Sequence, residues 1–256
     1  MCLLYLALKS HNAFKLIMAA NRDEYYDRPA AEAGFWDEFP DVLAGRDLRA
    51  GGTWLGLTRN GRIAAITNYR DPESIKNTAP SRGCLVSEFL SGKRSPLEYL
   101  HSLASRADQY NGFNLIAGEK DEIYCYSNRG VRIERLLPGT YGLSNHLLNT
   151  PWPKVTRIKS AFQRILCRKS EPDPEMMFEI LSDRSIPDDN MLPETGVGLE
   201  WERILSPIFI NSPAYGTRSS TLIFIGYDNH ATFIEKTFNA DGLNRKAVKY
   251  EFDIVP

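Results

Sequence analysis

The 256-residue chain has little of what marks secretion, metal binding or membrane insertion. Its four cysteines, Cys2, Cys84, Cys125 and Cys167, lie far apart with no CxxC pair, which points to a reducing, cytoplasmic compartment. Its four histidines, His11, His101, His146 and His230, show neither HxxxH nor HExxH spacing, so no structural zinc site is expected. No segment approaches the roughly 20 apolar residues of a membrane-spanning helix. The apolar run at the N-terminus stops at Lys9 and has no basic stretch before it, a poor signal peptide and a good strand.

Charge of one sign is also missing. A formal net charge of −1 makes no general electrostatic case for nucleic acid or an anionic membrane. The short basic runs Lys93-Arg94 and Arg168-Lys169 read as solvated helix ends. Gly51-Gly52 has no lysine at phosphate-loop spacing, so nucleotide binding is not indicated. No internal repeat, low-complexity tract or linker divides the chain, which is read as a single domain over residues 1–256.

What is present is strand and helix periodicity. Residues 2–9 and 15–20 read as a hairpin about Ser10-His11-Asn12-Ala13, and the second strand is expected to give way to a polar loop at Asn21-Arg22-Asp23-Glu24. Residues 51–57 and 62–68 form a second hairpin about Arg59-Asn60-Gly61. Amphipathic helices follow over 82–90 and 96–107, then strands over 113–117, 123–127, 131–136 and 140–146. Helices are expected over 154–168 and 174–181, a mobile loop over 183–198 and a short strand over 208–211. A hairpin of 219–227 with 232–238 and a strand over 246–254 close the chain. Strand blocks flanking helix pairs suggest sheets covered by helices.

Cys2 is the residue with the most chemistry in reach. Loss of Met1 would leave a cysteine bearing both a thiol and a free α-amine, a nucleophile with its own base. An α-amine titrates near 7.7–8.0 and a thiol near 8.5, so the amine can take the thiol proton near neutrality. The plain alternative is a buried cysteine in an edge strand. Four polar groups at strand ends add the residue types such chemistry needs: Asn21-Arg22-Asp23-Glu24, Asn68, Ser144-Asn145 and Thr217-Arg218-Ser219-Ser220. A carboxylate can orient the amine, a cation favours thiolate, and amide donors meet a developing oxyanion.

The run Asn21-Arg22-Asp23-Glu24 resembles the signature of the NRDE family, which includes the transport and Golgi organisation protein 2 homologues. The likeness extends to Met1-Cys2, Arg28-Pro29, Ala44-Gly45-Arg46-Asp47, Gly51-Gly52-Thr53-Trp54-Leu55-Gly56 and Thr67-Asn68-Tyr69-Arg70. It continues in Gly142-Leu143-Ser144-Asn145 and Tyr215-Gly216-Thr217-Arg218-Ser219-Ser220-Thr221. That family is in turn similar to the N-terminal nucleophile hydrolases of the bile-salt hydrolase, penicillin V acylase and acid ceramidase branch. The resemblance implies an α+β fold, a four-layer αββα sandwich of two antiparallel sheets. It also implies Cys2 as nucleophile, Asp23 holding its amine, Asn68 and Asn145 near the oxyanion and Arg218 near the thiolate. The related hydrolases usually place their arginine further before the aspartate, a departure that leaves Arg22 among the substrate-binding residues with Trp54, Tyr69 and His146.

Three functions are weighed from this. One is a cysteine amidohydrolase or acyl transferase acting on a linear amide or related acyl compound, with no cofactor required. The other is a non-catalytic carrier of haem or an acyl lipid, in which Cys2 or His146 would be an axial ligand. A scaffold with a vestigial site is the third. The aromatics Trp36, Trp54, Tyr69, Trp152 and Tyr215 pack in the core or line an apolar pocket.

Overall fold

The computed structural model describes residues 2–119, 122–130, 132–167 and 171–255. The expected loss of Met1, the start of the strand at Val131 and the basic end of the helix at Arg168-Lys169 fall outside the described residues. Along the chain come β1 (Cys2–Leu8), β2 (Phe14–Tyr25), β3 (Ala30–Phe35), β4 (Val42–Asp47), β5 (Leu55–Thr58) and β6 (Arg62–Asn68). Then follow α1 (Gly83–Ser91), α2 (Pro96–Ala104), β7 (Phe113–Glu119), β8 (Glu122–Ser127), β9 (Ile133–Arg135) and β10 (Gly139–Leu143). The chain closes with α3 (Pro153–Leu166), α4 (Pro174–Leu181), α5 (Leu199–Leu205), β11 (Tyr215–Gly226), β12 (His230–Phe238) and β13 (Asn244–Asp253). The strands make two antiparallel sheets, and the fold class is α+β.

Contacts divide the chain into two compact units, one of Met1–Asp27, Pro138–Ser144 and Leu148–Glu251, the other of Arg28–Leu137, Asn145–Leu147 and Phe252–Pro256. The first unit is built on a six-stranded sheet in the order β10-β1-β2-β11-β12-β13. Strand alternation sends Leu3, Tyr5, Ala7, Ile17, Ala19, Leu222 and Phe224 to one face. There they meet Val155, Ile158, Phe162 and Ile165 of α3 and Met177, Phe178 and Leu181 of α4. Tyr5 stacks on Phe162 with ring centroids 4.6 Å apart. Each such side chain fully removed from water contributes about 1.5–3 kcal/mol.

The second unit holds a seven-stranded sheet, β3 through β9 in sequence order, as expected when each strand turns back beside its predecessor. Helices α1 and α2 lay Leu85, Val86, Phe89, Tyr99, Leu100 and Leu103 on it. Ser95 and Glu98 close a capping box at the start of α2. At the tip of the β5–β6 hairpin Gly61 takes φ +80°, the left-handed conformation the turn requires.

Several sequence expectations are corrected. The polar run Asn21–Glu24 is not a loop but the continuation of β2: Asn21 and Arg22 pair with both β1 and β11, and Asp23 and Glu24 pair with β11. Its side chains are tolerated there because they find partners inside the first unit. The first strand of the second hairpin begins at Leu55 rather than at Gly51. A Cβ on Gly52 would lie 2.4 Å from the Gly83 carbonyl carbon and 2.7 Å from the Cys84 nitrogen, so this segment exists to let the start of α1 approach. β3, β4 and α5 carry no periodic signal strong enough to have been expected. Residues 208–211 form no strand; Asn211 makes one isolated bridge to Gly216.

Candidate functional site

Two groups of the expected residues are assembled, one in each unit. In the first, β1 and β2 pair so that Cys2 stands directly across from Arg22. Directly opposed residues of an antiparallel pair project to the same face, which sets the guanidinium beside the sulfur. Cys2 is half-buried. Burial pushes its thiol above the ordinary range and the Asp23 charge adds to this, while Arg22 and a hydrogen bond from the Asp23 backbone act in the opposite direction. At rest near neutral pH the sulfur is therefore a thiol, and its use as a nucleophile requires a base.

Asp23, one residue further, points to the helix-covered face with Ile17, Ala19 and Asn21, and is buried. Thr217 Oγ1 donates to Asp23 Oδ1 at 2.7 Å, while Thr217 itself accepts the Ile210 N–H at 2.9 Å. Because that acceptance orients the hydroxyl, its single proton goes to the carboxyl group. The Tyr215 hydroxyl donates to the Asp23 carbonyl at 2.9 Å. Burial pushes the Asp23 carboxyl above its usual range, opposed by the charge of Lys154 and the Thr217 hydrogen bond.

Asn21 serves the fold. Its Nδ2 donates to the carbonyls of Leu181 at 2.8 Å and Ile208 at 2.9 Å, and its Oδ1 accepts from Ser220 Oγ at 2.6 Å. The β2–β11 register shifts between Thr217 and Ser219, leaving Arg218 on a bulge. Its Nη1 donates to the carbonyls of Tyr25 at 2.9 Å and Tyr26 at 3.2 Å. Arg22 stands across from Cys2 in the β1–β2 register, and its charge also bears on Arg218.

The second group lies in the other unit. Asn145 Nδ2 donates to the Asn68 carbonyl at 2.9 Å, and the Arg70 N–H to the Asn145 carbonyl at 2.7 Å. Asn114, buried in β7, donates to Thr67 Oγ1 at 3.0 Å and to the His146 carbonyl at 2.9 Å. Tyr69 and His146 stack with ring centroids 4.9 Å apart. Burial pulls the His146 imidazole below its usual range, so it is neutral near pH 7. Trp54 packs over Gly45, where a Cβ would meet its ring at 2.3 Å. Trp36 belongs to the apolar core of this unit.

Three residues of these groups were missed by sequence reasoning: Lys154, Thr217 as the Asp23 partner, and Asn114. Lys154 did leave a signal, since it sits at helical spacing with Ile158, Phe162 and Ile165 on a stripe that should be apolar. Among the described residues no group of three or more His, Cys, Asp or Glu is placed to hold a metal ion. None of the described helices is long and apolar enough to cross a membrane.

The family model for Transport and Golgi organisation 2 matches residues 1–240. The chain is 40% identical to the Transport and Golgi organization protein 2 homolog of Bos taurus, covering 95% of this chain and 94% of that one. Identity to the Homo sapiens homolog is 37%, over 96% and 95% of the two chains. Among solved structures, similarity is found to a Caenorhabditis elegans N-acylethanolamine-hydrolyzing acid amidase ortholog, with TM-score 0.49 and 10% identity over 87% of this chain and 92% of that one. A C2A mutant of the conjugated bile acid hydrolase from Clostridium perfringens gives TM-score 0.49 and 10% identity, over 99% and 97%.

Proposed function

We propose, from the premise that the chain belongs to the Transport and Golgi organisation 2 family, that it is a cysteine amidohydrolase or acyl transferase acting on a linear amide or related acyl compound. The relatives' names speak of transport and Golgi organisation and name no reaction, so the chemistry rests on the residues. The observation that carries it is the placing of Cys2 at the head of β1, opposite Arg22 and hydrogen-bonded by the Asp23 backbone.

A thiol raised by burial is inert until something removes its proton. With Met1 gone, the Cys2 α-amine is the base nearest in covalent distance, and its ordinary range near 7.7–8.0 suits the task. The amine takes the proton as sulfur attacks the acyl carbon. The α-ammonium then returns it to the departing nitrogen, leaving a thioester and a free amine. Water, or another nucleophile in a transferase, attacks the thioester, giving its proton to the α-amine, which passes it to the leaving sulfur. Arg22 offsets the negative charge that develops at sulfur, and Asp23 is the anion suited to hold the α-ammonium.

The test is intact mass followed by turnover. Loss of Met1, hydrolysis of N-acyl amides of graded chain length and loss of that activity in Cys2→Ala would support the reading. A mature chain that keeps Met1 and turns over none of the amides would remove it.

A further inference from the structure

Cross-strand register sets four side chains in one row on the six-stranded sheet. Cys2 on β1 opposes Arg22 on β2, Arg22 opposes Ser219 on β11, and Ser219 opposes Thr237 on β12. Directly opposed residues project to the same face, here the one opposite Leu3, Ile17 and Leu222, which pack under the helices. Neighbouring strands lie about 4.8 Å apart, so Ser219, two strands from Cys2, stands roughly 10 Å away with Arg22 between them. Arg218, on the bulge, immediately precedes it.

The hydroxyls around Ser219 on β11 are spent. Thr217 donates to Asp23 Oδ1 at 2.7 Å, Ser220 to Asn21 Oδ1 at 2.6 Å and Thr221 to Glu235 Oε2 at 3.2 Å. Ser219 is as deeply buried, 3% exposed, yet its Oγ has no hydrogen-bond partner among the described residues. A hydroxyl withdrawn from water is costly unless a ligand or a water molecule takes its bond. Two guanidinium residues flank it, Arg22 across the strand pair and Arg218 along the chain. Burial, and after it the Arg22 charge, pulls Arg218 below its ordinary range, with Glu24 acting against them. An anion beside both arginines relieves that repulsion, and a guanidinium fork next to a hydroxyl suits a carboxylate.

We propose that Ser219 is a substrate-binding residue, whose hydroxyl, together with Arg22 and Arg218, takes a carboxylate carried by the acyl compound roughly 10 Å from the carbon that Cys2 attacks. The substrate class narrows accordingly to acyl compounds with a second, anionic end. This deepens the nucleophile reading above, on which its meaning for catalysis rests.

Two alkylating reagents of matched length test it at Cys2 without turnover. One is 6-(iodoacetamido)hexanoate, whose extended chain spans the roughly 10 Å between the two residues; the other is uncharged N-hexyl iodoacetamide. Site-resolved mass spectrometry at about pH 8 should show saturable alkylation of Cys2, with the carboxylate reagent half-saturating at a concentration at least about tenfold lower. In Ser219→Ala that advantage should fall about tenfold, while the urea midpoint should not drop, because no bond within the protein is lost. No advantage in the wild type, an equal advantage in Ser219→Ala, or a midpoint lowered by that substitution would each overturn the proposal. Amide hydrolysis that fails while the reagent preference holds would end the nucleophile reading and leave a carboxylate site beside Cys2. Hydrolysis that proceeds without the preference would end this inference alone.

Discussion

Cysteine chemistry in this chain is graded by burial and neighbouring charge. Cys2 carries a thiol pushed above its ordinary range, so its alkylation should be slow near pH 7 and accelerate by about tenfold per pH unit until the thiolate dominates. Site-resolved mass spectrometry checks this, and a rate already level below about pH 7 would contradict it. Cys125 is buried in β8 and pushed up to about 12, so it should stay unmodified while the exposed Cys167 reacts. Asn114 illustrates the opposite residue type, one whose polar atoms hold structure. Replacing it by Ala leaves the His146 carbonyl and Thr67 without their donor, at a cost of about 1–3 kcal/mol in denaturant unfolding. Of the single residues, Cys2 and Asp23 stood out in the sequence because their types and order are unusual. Lys154 and Asn114 did not, because a lysine or asparagine acquires its meaning only from what surrounds it.

At the scale of elements, β2 is the piece on which the first unit turns. Its apolar half, Leu16–Ala20, is an ordinary buried strand; its polar half continues the ladder because β11 pairs it throughout and β1 as far as Arg22, and the Asn21 and Asp23 side chains meet fixed partners. Asn21→Ala should lower stability by roughly 2–5 kcal/mol, since it strands two carbonyls and a serine hydroxyl in the interior. Ser95→Ala should cost only about 1 kcal/mol, because it opens one capping box on a solvent-facing turn of α2. Equilibrium urea unfolding of the two variants gives the comparison, and equal losses would contradict the ranking. The hairpins and α1 to α4 were legible from periodicity and turn residues. Asn21–Glu24 was read as a loop because a polar run signals a turn unless partners from residues 181, 208, 217 and 220 are supplied. Those partners are distant in sequence.

For the whole molecule, the carboxylates divide by sign. Asp47 is held below its usual range by Arg28 and by the Arg49 and Ala50 backbone against the effect of burial, and Asp183 by Ser185 and Arg157. Groups so depressed bind fewer protons folded than unfolded; their contribution is present above about pH 4 and lost as pH falls through the folded values. Asp23 has the reverse sign, its folded-state value being raised, so it favours folding at low pH and opposes it as pH rises through that value. Thermal midpoints should therefore fall below about pH 4, and Asp23→Asn should not reproduce that loss while Asp47→Asn reduces it. Haem titration separates the carrier alternative: a Soret shift lost in Cys2→Ala or His146→Ala would favour it over amide chemistry. The sequence by itself determined the family, the α+β class and the identity of the candidate nucleophile, because these reside in residue order and in the two periodicities of backbone structure. Only the tertiary structure decided that Arg22 faces Cys2, that Arg218 stands on a bulge of β11, and that a lysine on α3 is buried with its ammonium on the Leu205 carbonyl. Each of these is a matter of register or burial between segments far apart along the chain.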